Sequence, residues 1–90
     1  MDWKKYGQVI SSHYRRKVIL NLLSGPMNPK QIANKTGLYL SHVSKTLSEL
    51  SSLGLVNCLT PELRRGRIYR ITTEGEEIGD YIKKNYENNK

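Results

Sequence analysis

Three arginines, Arg64, Arg65 and Arg67, lie within four positions of one another, with Gly66 between the second and the third. A guanidinium group is always charged at physiological pH, and its five N–H donors match the oxygens of a phosphate. At the tip of a hairpin, such a cluster suits contact with DNA phosphates or insertion into a minor groove. An ordinary charged loop is the alternative interpretation.

A second set of polar side chains recurs at helical spacing over residues 40–53. At about 100° per residue, Val43, Leu47 and Leu50 form one apolar face. The opposite face carries Ser41, Lys45, Ser48 and Ser52, with His42 and Glu49 beside it and with Leu40 and Ser44 nearer its margin. This face lacks Arg, Asn and Gln, the residues that make bidentate base contacts, so we expect most of its binding energy to come from phosphates.

The sequence contains no arrangement typical of an enzyme. It has no nucleophile beside a base, no paired carboxylates near a histidine and no phosphate-binding glycine loop. His13, His42 and Cys58 fall on different predicted elements, so a metal site is not expected. We therefore expect no catalytic residue, no metal and no cofactor.

Composition narrows the class of partner. The 90 residues suffice for one domain, predicted over 1–90, with a small core. Fifteen Lys and Arg against eight Asp and Glu give a net charge of +7, which favours a polyanionic partner. No apolar run approaches the length of a membrane span, and no signal peptide is present. With a single cysteine, no internal disulfide forms, and we expect a cytoplasmic protein.

Two helices are predicted in the N-terminal half. The first begins at Ser11 or Ser12 and ends at Gly25-Pro26, where glycine favours a left-handed cap and proline prevents continuation. The second begins with the capping-box sequence Asn28-Pro29-Lys30-Gln31 and ends at Gly37.

Two further helices are predicted over residues 40–53 and about 73–86. The last of them is capped by Thr72 or Thr73, and Thr73 and Glu76 have the spacing of a capping box. Both helices carry an apolar stripe at helical spacing, so we expect each to pack one face on the core.

Between these two helices, residues 55–59 and 67–71 predict two strands joined by the arginine-bearing loop. Two strands alone are marginally stable, so we expect a third strand at Met27-Asn28. The order of elements predicts an α+β fold, mainly α, of the winged helix-turn-helix class. The helix-turn-helix would cover about 29–53 and the wing about 55–71.

These motifs, in this order, resemble the winged helix-turn-helix transcriptional regulators of the ArsR and MarR type over roughly residues 11–80. Ile32-Ala33-x-x-x-Gly37-Leu38 is similar to the positioning helix and turn, and Val43-Ser44-Lys45-x-Leu47-x-x-Leu50 to the recognition helix. Leu53-Gly54-Leu55-Val56 is similar to the exit into the wing, and Arg67-x-Tyr69-x-Ile71-Thr72-x-x-Gly75 to the return strand and the cap of the next helix.

The resemblance implies a regulator that binds double-stranded DNA, with recognition helix 40–53 in the major groove and wing 60–67 on the minor groove or the backbone. It implies contacts with bases or phosphates from Leu40, Ser41, His42, Ser44, Lys45, Ser48, Arg64, Arg65 and Arg67. The family has a small hydroxyl residue at the start of the recognition helix, where this chain has Tyr39. We therefore expect the helix to begin as late as Ser41 or to be capped in another way.

Large apolar groups occur at both ends of the chain, and a small core has limited space for them. They are Trp3, Tyr6, Ile10, Tyr81, Ile82 and Tyr86. A homodimer interface built from the N- and C-terminal segments would bury them, as is common in winged regulators of this type. Residues 1–10 themselves show no period that separates a helix from an extended chain.

The remaining candidates are expected to be structural. Arg15, Arg16 and Lys17 should lie on a solvated helix face, with phosphate contact by Arg16 or Lys17 as the alternative. Cys58 should be a buried small residue, and His13 an ordinary surface residue.

Other functions stay open beside DNA binding. A winged helix also serves as a rigid adaptor in larger complexes, so a protein interaction module is the second hypothesis. RNA is not expected, because the chain has no Phe and its tyrosines are dispersed.

Overall fold

A computed structural model of the chain describes residues 1–87. In chain order, its elements are α1 (Trp3–Ile10), α2 (His13–Leu22), α3 (Pro29–Thr36), α4 (Leu40–Ser52), β1 (Val56–Cys58), β2 (Tyr69–Ile71), α5 (Thr73–Ile82) and a π-helical segment at Lys83–Glu87. The predicted order of helices and hairpin is therefore observed, with α1 added before it. Residues 88–90 of the predicted domain lie outside the described residues. Within residues 1–87, no helix is both long enough and apolar enough to cross a bilayer.

The N-terminal segment is a helix, which decides between the two alternatives that the sequence left open. The Asp2 carboxylate accepts hydrogen bonds of 3.1 Å from the backbone N–H groups of Lys4 and Lys5. An eight-residue helix is unstable in isolation, so α1 depends on its packing. Val9 is fully buried, and Lys5 Nζ lies 2.9 Å from Glu74 Oε1 on α5.

Ser12 is the cap of α2, since its Oγ accepts a hydrogen bond of 3.3 Å from the backbone N–H of Arg15. The helix ends at Leu22, with Leu23 in the right-handed region after it. The prediction of Gly25 as a left-handed helix cap is therefore wrong. Gly25 instead adopts a φ of 135° within the connection to α3.

The helix-turn-helix forms from local chemistry at its start and at its turn. Asn28 and Gln31 complete the predicted capping box, with two reciprocal hydrogen bonds of 2.8 Å. Gly37 closes α3 in the left-handed region, at a φ of 75°. The next helix begins at Leu40, and Tyr39 occupies the cap position without a side-chain hydrogen bond. The predicted start at Leu40 is therefore observed, and the alternative start at Ser41 is not.

The hairpin strands pair antiparallel, with Val56 opposite Ile71, Asn57 opposite Arg70 and Cys58 opposite Tyr69. Each strand has three residues, fewer than the predicted 55–59 and 67–71. Met27 pairs with Tyr69 through N–H···O bonds of 3.1 and 2.9 Å. The predicted third strand at Met27-Asn28 is therefore present as a single bridge, at Met27.

Apolar residues from all five helices and from β1 meet in one core. The fully buried residues are Val9, Val18, Ile19, Leu22, Ile32, Val43, Leu47, Leu50, Leu55, Val56, Ile78 and Ile82. Tyr14 lies on the same helix as the buried Val18 and Ile19 but is 38% exposed. Because α4 and the hairpin share this core, their relative position is fixed.

Thr72 is the cap of α5. Its Oγ1 accepts a hydrogen bond of 3.1 Å from the N–H of Gly75 and donates one of 2.8 Å to the carbonyl of Gly54. A capping box beginning at Thr73 is wrong, because Thr73 is already the first helical residue. A Cβ on Gly75 would lie 2.2 Å from the carbonyl oxygen of Leu55, so α5 approaches the chain leaving α4 as closely as backbone atoms allow.

Candidate nucleic-acid interface

An open groove lies between α4 and the wing loop, which comprises residues 59–68. Its lining comes from the start of α3 (Asn28, Pro29, Lys30), from α4 (Leu40, Ser44, Ser48, Ser51), from the strands (Cys58, Tyr69) and from the wing loop (Arg64, Arg65, Gly66, Arg67). Among the described residues, four cations and no carboxylate line this groove. We call it the basic groove, because its charge favours a polyanion.

The predicted contact residues of α4 divide into two sets. Leu40, Ser44 and Ser48 line the basic groove. Ser41, His42 and Lys45 are exposed on the adjoining side of the helix. The predicted apolar stripe of Val43, Leu47 and Leu50 is fully buried on the opposite side, so the polar face is presented outward as expected.

The three wing arginines reach the same groove with different contacts. Arg64 and Arg65 are exposed and have no hydrogen-bond or ion-pair partner among residues 1–87. Arg67 donates from Nε to the carbonyl of Leu63 and from Nη2 to the carbonyl of Pro61, the latter at 3.3 Å. It therefore braces the wing loop, whereas the other two guanidinium groups are available to a ligand.

A row of four rings runs from α2 to the start of α4, and we call it the ring row. The ring centroids of His13 and Tyr14 lie 5.7 Å apart, those of Tyr14 and His42 4.8 Å, and those of His42 and Tyr39 5.8 Å. The first turn of α4 has no side-chain cap; the Tyr39 ring contacts His42, and the Tyr39 carbonyl accepts a hydrogen bond of 3.0 Å from the Val43 amide.

The basic residues of α2 differ from the sequence prediction of a solvated face. Each donates within the chain: Arg15 to the Glu49 carboxylate (3.1 Å) and the Gln8 carbonyl (2.9 Å), Arg16 to the Ile10 carbonyl, and Lys17 to the Thr36 carbonyl (3.4 Å). The Arg16 guanidinium also lies 4.9 Å from the centre of the Tyr86 ring. The prediction was wrong because these three adjacent residues contact four other elements: α1, α3, α4 and the π-helical segment.

Several groove residues were not identified from the sequence. Lys30 lies in the first turn of α3 and lines the groove, and no pattern in the sequence distinguishes it from an ordinary surface cation. Cys58 was predicted to be buried, but it is half-buried and lines the groove where the hairpin leaves the core. Across residues 1–87, no three His, Cys, Asp or Glu side chains converge as metal ligands would.

Aromatic residues from both ends of the chain meet in a second cluster, which we call the terminal ring cluster. Trp3, Tyr6 and Tyr81 pack edge to face, with centroids 5.1 to 5.7 Å apart. Burial raises the pKa of Tyr6 above its ordinary value of 10.0, and the Tyr81 and Tyr86 hydroxyls raise it further. Trp3 is nevertheless 58% exposed, so the cluster leaves an apolar surface uncovered.

Comparison of the sequence with models of protein families and with curated proteins gives no match. Solved structures do match the fold. The chain is 28% identical to a MarR family transcription regulator, with a TM-score of 0.66 over 77% of this chain and 48% of that one. The reduced form of MarR from E. coli is 24% identical, with a TM-score of 0.72 over 82% of this chain and 56% of that one. A MarR family regulator from Neisseria meningitidis is 24% identical, with a TM-score of 0.72 over 93% of this chain and 61% of that one.

These similarities confirm the predicted fold class, a mainly helical winged helix-turn-helix. The MarR part of the resemblance is supported, while the ArsR part stays a prediction. One of the matching structures is a MarR family transcription regulator and another is a MarR family regulator, which agrees with the prediction that this chain is not an enzyme. The chain spans about half the length of the first structures it matches.

Proposed function

We propose that this chain is a transcription regulator of the MarR type that binds double-stranded DNA in a sequence-specific manner. The observation that carries the proposal is the basic groove, where Arg64 and Arg65 have no partner among the described residues. Unpaired cations in a groove without carboxylates favour a phosphate backbone as ligand. The groove also lies beside the exposed polar face of α4, which has the form that enters a major groove.

In the proposed complex, α4 lies in the major groove, which is wide enough to admit a helix. Ser41, Lys45 and Ser48 would then face phosphates and base edges. The wing loop would follow the adjacent minor groove or its backbone, with Arg64 and Arg65 on the flanking phosphates. The other proposed contact residues are Leu40, His42, Ser44 and Arg67.

We further propose a homodimer formed through the N- and C-terminal segments. The terminal ring cluster supports this, because Trp3 leaves a large apolar ring exposed where α1 and α5 meet. A twofold dimer would present two copies of α4 to two half-sites, so its operator would be palindromic. A cytoplasmic location and the exclusion of RNA remain predictions.

The test is selection of duplexes from a random pool by the full chain at physiological salt. We expect a palindromic consensus. We also expect log K for the selected duplex to fall by ~0.9 for each phosphate neutralised when the salt concentration rises tenfold. A pool that shows no enrichment would contradict the proposal. Competition by a structured RNA of equal length tests the exclusion of RNA in the same experiment.

A protein interaction module is the second candidate function. Tyr39 and Leu40, 77% and 50% exposed, are the observation that favours it, since apolar side chains on an outer helix face also suit a protein partner. The two functions differ in their need for the wing: replacing Arg64 and Arg65 with Ala should weaken duplex binding by ~100-fold or more but leave binding of a protein partner nearly intact.

A further inference from the structure

The first turn of α4 carries two apolar side chains on an otherwise polar face. Tyr39 is 77% exposed and Leu40 is 50% exposed. The remaining outward residues of this helix are serines, a histidine and a lysine. Two large apolar side chains that are exposed side by side at the start of a proposed recognition helix form a candidate contact surface for an apolar group of a ligand.

Leu40 lies inside the basic groove and not beside it. With Ser44 and Ser48 it forms one stripe at four-residue spacing along the groove, opposite Arg64 and Arg65. A ligand that fills this groove must therefore be anionic along the wing loop and apolar at the point that meets Leu40. The ligand must therefore combine a row of negative charges with an apolar group at a fixed distance from them.

Duplex DNA offers one apolar group on its base edges in the major groove, the 5-methyl group of thymine. We infer that Leu40, with the Tyr39 ring beside it, contacts thymine methyl groups, and that each half-site carries thymine where the first turn of α4 meets the bases. This inference rests on the proposed function. The thymine methyl group would let a helix face without Arg, Asn or Gln distinguish one base pair from another.

The ring row restrains the ring of Tyr39, which precedes Leu40 in the chain. Tyr39 packs on His42 at 5.8 Å, and His42 packs on Tyr14 of α2 at 4.8 Å. A side chain that is already held loses little conformational freedom on binding. The serines of the stripe donate or accept with any base, so they add affinity with little discrimination.

The experiment replaces each thymine of the selected duplex with uracil, one position at a time, and measures the affinity of the unmodified full chain. Uracil lacks only the methyl group and keeps the base pairing. We expect roughly a fourfold loss per methyl at one or two positions in each half-site, and no change elsewhere. Adding the methyl to cytosine at unrelated positions should have no effect.

A protein variant assigns the methyl contact to its residue. Leu40→Ala should bind the thymine duplex about as weakly as the wild-type chain binds the uracil duplex, and should no longer distinguish the two. Ser52→Ala is the matched control, because Ser52 is exposed on the same helix but is not in the groove lining, and it should keep the full preference for thymine. Circular dichroism verifies that both variants are folded.

The outcomes separate this inference from the proposed function. Equal affinity for thymine and uracil duplexes at every position would overturn the inference while leaving a DNA-binding regulator in place. A preference for thymine that survives Leu40→Ala would overturn the assignment to Leu40. Failure of the duplex selection itself would overturn both.

Discussion

The chain carries two clusters of three cations, and the fold uses them differently. On α2, Arg15, Arg16 and Lys17 all donate to groups within the chain. On the wing loop, Arg67 does so, while Arg64 and Arg65 have no partner among residues 1–87. Similar runs of charge therefore stabilise the fold in one region and stay available to a ligand in the other.

The acceptors explain the difference. The last carbonyls of a helix lack partners within the helix and interact favourably with cations. Arg16 donates to the carbonyl of Ile10, the last residue of α1, and Lys17 donates to that of Thr36, the last residue of α3. Among the wing-loop arginines, Arg67 alone has acceptors within the described residues, and both are carbonyls of the loop itself.

The largest loss of duplex affinity is expected when the two wing arginines without a partner are replaced. Replacing both Arg64 and Arg65 with Ala should weaken binding of the selected duplex by ~100-fold or more at physiological salt and reduce the salt slope by ~0.9 for each phosphate that is no longer neutralised. The midpoint of thermal unfolding should not change, because neither side chain has a partner among residues 1–87. Fluorescence anisotropy titrations over ~50 to 200 mM salt, the range in which such slopes are large, measure the affinity. An unchanged salt slope would place the phosphate contacts elsewhere.

A smaller loss of binding is expected at Arg67. Arg67→Ala should weaken duplex binding about tenfold, because the wing loop loses the hydrogen bonds to the Leu63 and Pro61 carbonyls. Arg67→Lys is the matched control, since it keeps the charge but not the fork of donors. If Arg67 braces the loop, the lysine variant should bind nearly as weakly as the alanine variant, and amide hydrogen exchange of the wing loop should accelerate in both. Full recovery by lysine would mean that charge alone matters.

Substitutions in the α2 cluster should lower the stability of the fold and leave duplex binding unchanged. Arg15→Ala should lower the free energy of unfolding by ~1 kcal/mol, since it removes a partly exposed ion pair with Glu49 and a hydrogen bond to the Gln8 carbonyl. Urea denaturation measures this change, and the double variant Arg15→Ala/Glu49→Ala isolates the part due to the pair. Duplex affinity should stay within about twofold of the wild-type value. A fall in affinity comparable to that of the wing variants would remove the distinction between the two clusters.

Lys17 should give the smallest effect. Its bond of 3.4 Å to the Thr36 carbonyl is long, so Lys17→Ala should cost only ~0.3 kcal/mol of stability. Lys17→Met keeps most of the apolar stem and serves as the control for packing. A reduction of the salt slope by ~0.9 in both variants would instead identify Lys17 as a phosphate contact.

Local chemistry made much of the helix-turn-helix predictable. The capping box of Asn28 and Gln31 and the left-handed Gly37 need only neighbouring residues to form, and both were predicted correctly. The choice between Thr72 and Thr73 was not local. It depends on the hydrogen bond from the Thr72 hydroxyl to the Gly54 carbonyl, 18 residues away in the chain.

The remainder of the fold and of the candidate site depends on tertiary contacts that sequence spacing does not contain. An eight-residue helix is unstable on its own, so α1 depends on the burial of Val9 in the core and on the Lys5–Glu74 pair. Arg15 gives no sign in the sequence that Glu49, 34 positions later, is its partner. Lys30 enters the groove because α3 starts beside α4, and this requires the packed arrangement of both helices.

The close approach at Gly75 joins the two ends of the molecule mechanically. The Leu55 amide donates to the carbonyl of Leu50 on α4 at 3.0 Å, and the Leu55 carbonyl accepts from the Thr72 amide at 2.9 Å, beside Gly75. These are contacts of backbone on backbone, without side-chain rotamers that could absorb a displacement. A tilt of α5 at the contact between Tyr81 and Trp3 would therefore displace the backbone at Leu55. Because Leu55 is hydrogen-bonded to α4, the angle of α4 against its ligand would change as well.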